Sequence, residues 1–131
     1  MSINVFLIDP FACTITEETI EGKNLKDYYK LLSHETMPVD CFDVSYAFSG
    51  DVLADSDCLY VDDEGLLKSP ERFVGFNGVD DIKFAGKVLV VGTDEEGASV
   101  SANTDIEKLR ANIHFAGRDL IPTTTPWEAP K

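Results

Sequence analysis

Lys87-Val88-Leu89-Val90-Val91 decides the fold. A short, continuous, β-branched apolar run is the signature of a strand covered on both faces. It is preceded by Gly86 and followed by Gly92-Thr93-Asp94-Glu95-Glu96-Gly97, which reads as a turn. A strand of this kind needs neighbours on each side and layers above and below. The rest of the sequence supplies them.

Working toward the N-terminus, Phe73–Phe76 is a strand followed by Asn77-Gly78, a strong hairpin signal whose returning partner is Ile82–Phe84. Cys58–Val61 is another strand, ended by Asp62-Asp63-Glu64-Gly65, with Leu66 and Leu67 as a hairpin partner. Phe42, Val44, Tyr46 and Phe48 alternate with Asp43, Ser45 and Ala47, the pattern of a strand with one buried face. Ser49-Gly50-Asp51 is a turn, and Val52–Ala54 is a short strand or a loop. Leu25, Tyr28, Tyr29 and Leu32 follow helical spacing, so residues 25–34 form an amphipathic helix with Asn24 as its cap and Leu25, Tyr28 and Leu32 toward the core. Ile3–Ile8 is a strand stopped by Asp9-Pro10. Thr14–Ile20 is read as a strand although Ile15 and Ile20 have opposite parity.

Toward the C-terminus, Thr104-Asp105-Ile106-Glu107 satisfies the capping-box pattern, with Thr104 as cap and Glu107 three residues on. Ile106 and Leu109 form the inner face of the helix that follows; Ile113-His114-Phe115 either extends that face or makes a last strand. The expected architecture is a single α+β domain, a mainly antiparallel or mixed sheet with two helices, spanning residues 1–117. Residues 118–131 hold Pro122, Pro126, Pro130 and three threonines and read as an extended tail, in which Trp127 suits docking on the domain or on a partner. There is no βαβα rhythm, no phosphate-binding loop and no dinucleotide fingerprint.

The 131 residues carry 24 acids and 11 bases, a net charge of −13. That charge opposes direct contact with nucleic acid or an anionic membrane. No Lys or Arg falls between Lys30 and Lys68, and the nine acids of that interval supply −9 of the total. Asp43, Asp51, Asp55, Asp57, Asp62, Asp63 and Glu64 are expected to lie exposed on one side of the sheet, as a partner-binding face for a basic protein surface. The bland reading of the same acids is a solubilising face. The acid-acid-Gly turns at Val61–Gly65 and Gly92–Gly97 resemble each other, which an internal repeat and turn chemistry alone explain equally well.

Cys13, Cys41 and Cys58 have no metal-ligand or disulfide spacing and read as small buried hydrophobes; His34 and His114 lie far apart. No catalytic group, cofactor site or metal site is predicted. The N-terminus has no basic start before an apolar run, which points to the cytoplasm. The alternative to a protein-binding role is a nucleotide-binding pocket drawing on Arg72, Lys83, Lys87, Arg110 and Arg118, with a small enzyme as the third and less favoured reading.

Leu59-Tyr60-Val61-Asp62-Asp63-Glu64-Gly65-Leu66-Leu67, then Phe73, then Ala85–Gly97, with the Ile8-Asp9-Pro10 opening and a Tyr-bearing helix after it, resembles an uncharacterised family of small acidic domains common in phages and plasmids. The resemblance covers residues 3–115. It implies a small accessory protein of a mobile element, for which an inhibitor or nucleic-acid mimic acting on a host nucleic-acid-binding or defence protein is the natural instance. It assigns no activity to any residue.

Overall fold

Val88, Leu89, Val90 and Val91 are completely buried because their strand, β7 (Val88–Thr93), is sandwiched on every side. A computed structural model describes residues 2–34, 38–39, 42–45, 52–62, 72–76 and 79–117. In it β7 lies between β1 (Ser2–Asp9) and β4 (Asp57–Asp62), with β2 (Thr14–Glu21) beyond β1 and β3 (Phe42–Ser45) beyond β4. The short β8 (Ser99–Val100) pairs with the end of β7, completing a six-stranded sheet of order β2-β1-β7-β4-β3. A second sheet has the order β6-β5-β9, from β5 (Arg72–Phe76), β6 (Val79–Ala85) and β9 (Ile113–Gly117). Among the described strands the pairings are antiparallel. With α1 (Leu25–Leu32) and α2 (Ile106–Asn112), the protein is α+β.

The two faces of the large sheet have different covers. Val5, Leu7, Cys58, Tyr60, Leu89 and Val91 pack with Tyr28 and Leu32 of α1. Phe6, Ile8, Leu59, Val88 and Val90 pack with Val74 and Phe76 of the small sheet and Leu109 of α2. Ile15 belongs to the second cluster and Ile20 to the first. β2 therefore buries one residue on each face, near its two ends, which is why its sequence lacks a two-residue period.

α1 is capped by Asn24, whose side chain accepts from Lys26 N–H at 3.0 Å. Tyr28, Phe42 and Tyr60 form an aromatic cluster beneath it, with Phe42 and Tyr60 stacked at 4.8 Å. Leu25, expected toward the core, is 54% exposed at the first helical position, and the buried residues of the helix are Tyr28 and Leu32. The helix ends at Leu32, two residues earlier than predicted.

The open choice at Ile113–Phe115 resolves to a strand, β9. β5 and β6 form the predicted hairpin, with Val74 opposite Phe84 and Gly75 opposite Lys83, and the register shifts between Gly75 and Phe76. The capping box is displaced by one residue. Asp105, not Thr104, caps α2, accepting from Glu107 N–H at 3.0 Å. The expected strand continuation at Tyr46–Phe48, the return at Leu66-Leu67 and the tail 118–131 lie outside the described residues.

Candidate acidic interface

β1 and β4 both run antiparallel to β7, so they point the same way. Their first residues, Ser2 and Asp57, share one end of the sheet with the last residues of β2, β3 and β7. The acids of the charged interval are consequently divided. Asp57 lies at this end of β4 and Asp62 at the other, five residues on, or roughly 17 Å in an extended strand.

Asp43 is exposed on the edge strand β3, and Asp55 is exposed in the turn before β4. Asp57 and Asp62 are buried, at 0% and 9% exposure, which corrects the expectation that both face solvent. The four described acids make no single face: two point into the protein and the exposed pair sits at opposite ends of the sheet. Asp51, Asp63 and Glu64 lie outside the described residues.

Asp57 is buried because the backbone around α2 is built on it. Its carboxylate accepts from Asn103 N–H at 2.9 Å, from Thr104 N–H at 2.7 Å and from the Thr104 hydroxyl at 2.5 Å. The Thr104 oxygen in turn accepts from Ala54 N–H at 2.9 Å. A buried carboxylate is tolerable when its lone pairs are filled this way. Thr104 is thereby withdrawn from capping, and Asp105 takes that role.

The same network fixes which acids do reach solvent. Thr93 N–H donates to Ser56 carbonyl at 2.8 Å, holding the turn that carries Asp55 beside the chain leaving β7. There Asp94 closes its own turn, its carboxylate accepting from Glu96 N–H at 2.9 Å and Ala98 N–H at 2.8 Å. Glu95 and Glu96 are exposed at the tip, and Gly97 takes the left-handed conformation, φ 85°, that closes it. Asp55, Glu95, Glu96 and Asp105 thus project from one end of the sheet, three of them outside the interval that sequence singled out. Strand order, which places residues 55, 94–96 and 105 together, is not written in local sequence.

The described bases of the alternative pocket do not converge. Arg72 donates to the Pro10 carbonyl at 3.0 Å, Lys87 lies 3.8 Å from the Asp9 carboxylate, and Arg110 donates to Glu107 at 2.6 Å. Arg72 and Lys87 tie the small sheet and β7 to the β1–β2 turn, whereas Arg110 lies on α2. The side chain of Lys83 and residue Arg118 lie outside the description.

Cys13 is exposed, not buried, at a left-handed position (φ 56°) in the β1–β2 turn; Cys58 is buried as expected, and Cys41 is outside the described residues. His34 stacks on Phe11 at 3.7 Å. Among the described residues no group of three His, Cys, Asp or Glu side chains is placed to hold a metal ion, and no helix is long and apolar enough to cross a membrane. An open groove of about 490 Å³, which sequence reading missed, lies between β2 and β9, lined by Cys13, Ile15, Arg110, Ile113 and Phe115 among others.

A family model described as a domain of unknown function, DUF3846, matches residues 3–114. No curated protein and no solved structure matches the chain.

Proposed function

The chain belongs to the DUF3846 family, and we propose that it is a non-catalytic acidic binding protein that sets its carboxylates against a basic surface of another protein. The observation that supports this most is the convergence of exposed Asp55, Glu95, Glu96 and Asp105 at one end of the sheet, on turns held by hydrogen bonds. Carboxylates on neighbouring ordered turns repel one another, and Lys108, which lines the same groove as Asp55 and Asp105, offsets part of that repulsion. A basic partner offsets what remains, chiefly at Glu95 and Glu96, and gains association rate from the field. Arg72, Lys87 and Arg110 are engaged within the protein, which makes an anion pocket the weaker reading.

In the setting of a mobile element, acting in the cytoplasm, the partner is a host nucleic-acid-binding or defence protein. The acidic end then competes for a surface that otherwise receives phosphates. Immobilised protein should capture a basic protein from host lysate at low salt and release it as salt screens the field. The quadruple variant Asp55→Asn, Glu95→Gln, Glu96→Gln, Asp105→Asn should fold at least as stably as the parent, since Asn also caps helices. It should bind the captured partner with slower association. Capture indifferent to both salt and the four substitutions overturns the reading.

A further inference from the structure

We infer that the outer edge of β2 is a strand-addition site for an extended, lysine- or arginine-bearing peptide segment. The inference rests on the acidic-binding reading and gives it a second, geometrically specific contact. β2 is the last strand of its sheet. Backbone groups of alternate residues in such a strand point toward its neighbour or away from it. The direction is fixed at both ends. The Ile15 carbonyl accepts from the Arg110 guanidinium at 3.4 Å, and Glu21 N–H donates to the Asp27 carboxylate at 2.9 Å, so both residues present their backbone groups outward. Glu17 and Thr19 have the same parity. Their amides and carbonyls also point outward, and among the described residues they meet no partner.

The ends of the edge are thus closed by α1 and α2 side chains, and a window at Glu17 and Thr19 is left open. Its side chains set the occupant. β2 carries Glu17, Glu18 and Glu21 and no base. A second copy laid antiparallel on this edge would oppose glutamates to glutamates, which is destabilising across a strand pair. A basic strand meets the opposite sign at Glu17 and, on the other face of β2, at Glu18. The groove beside Ile15, walled by Ile113 and Phe115 of β9, receives an apolar side chain of the added strand. Main-chain bonds supply affinity and the groove and glutamates supply selectivity, as in other strand-addition complexes.

The test titrates ¹⁵N-labelled full-length protein with the end-blocked octapeptide Thr-Val-Thr-Lys-Lys-Thr-Val-Thr, in which each face of the extended strand carries one Lys and, two residues away, one Val, because Glu17 and the groove residue Ile15 share a face of β2. Amide shifts should centre on residues 14–20, and exchange at the Glu17 and Thr19 amides should slow on binding. Glu17→Pro removes an outward N–H that the β1–β2 ladder does not use, a substitution edge strands accept. It should weaken binding at least tenfold, and more than Glu17→Gln, which removes only the charge. The same peptide N-methylated at alternate residues should bind at least tenfold more weakly to the unaltered protein, an arm independent of how Glu17→Pro folds. Equal binding of the N-methylated peptide overturns strand addition. Shifts centred on Asp55, Glu95 and Glu96 also overturn it, while leaving the acidic-binding reading standing. A dimer dissolved by Glu17→Pro shows the occupant to be a second copy and overturns it as well. No shift anywhere overturns both readings.

Discussion

The carboxylate of Asp57 accepts a 2.5 Å hydrogen bond from the hydroxyl of Thr104, 47 residues away in sequence, inside the fold. This pair joins the start of β4 to the entry of α2. It also decides which residue caps that helix and positions the turn that carries Asp55. Thr104→Val keeps the shape, removes one bond to Asp57 and leaves Ala54 N–H without its acceptor. The expected loss is about 1–3 kcal/mol. Asp57→Asn should cost more, because a side-chain NH₂ then faces donors. In a urea double-mutant cycle the pair should couple by roughly 0.5–3 kcal/mol. Additive losses would show that the two residues act separately.

These residues mark where sequence reading ends. The Val88–Val91 strand is legible because burial on both faces leaves a continuous apolar run, and α1 because its one buried stripe repeats at helical spacing. Asp57 is illegible. Its neighbours, Asp55 and Ser56, make it read as a turn acid, and the groups that fill its lone pairs come from residues 103 and 104. The same long-range bond explains the displaced capping box: the Thr104-to-Glu107 pattern is present, but the hydroxyl is committed elsewhere. The acidic end of the sheet is legible at one residue of four. Asp55 lies in the base-free interval, whereas Glu95, Glu96 and Asp105 join it only through strand order.

Val90 packs on the side of the large sheet that faces the small one, with no exposure. Val90→Asp places a carboxylate there with no donor to receive it, at a cost of several kcal/mol. Against a typical total stability of about 5–15 kcal/mol, the variant should lose its cooperative urea transition or have a midpoint far below the parent's, read by circular dichroism. A parent-like midpoint would remove β7 from the centre of the fold.

Two glycines stand where a methyl group has no room, for different reasons. A Cβ on Gly92 would press into the Ser101 carbonyl, which is backbone, where β8 leads into the segment beside β1. A Cβ on Gly75 would press into the imidazole of His114, the residue opposite it on β9. Overpacking of this kind costs about 1–3 kcal/mol. Both alanine variants should lose stability, but only Gly75→Ala should be partly rescued by removing the obstacle, in Gly75→Ala with His114→Ala. Rescue is measured as the non-additivity of the two changes in thermal or urea unfolding. Its absence would mean that the ring moves aside without cost.

Alkaline pH should destabilise the protein through two buried groups. Burial pushes the Cys58 thiol above its ordinary value of 9.0 and the Tyr28 phenol above 10.0. Cys58 has no exposure, and the Tyr28 hydroxyl donates to the Gly22 carbonyl at 2.6 Å, a bond that needs the proton. Both groups are neutral when protonated. The unfolded chain therefore releases these protons at lower pH than the folded one does. Their contribution is complete below about pH 9 and is lost as pH rises toward the folded values, first for Cys58 and then for Tyr28. Between its unfolded and folded values each group lowers stability by about 1.4 kcal/mol per pH unit. Cys58→Ala removes one of the two. It should be less stable than the parent at pH 7, because it vacates packed space, and the gap should narrow as urea midpoints are followed from pH 8 to pH 10. Parallel curves for parent and variant across that range would show that the fold does not hold the Cys58 proton.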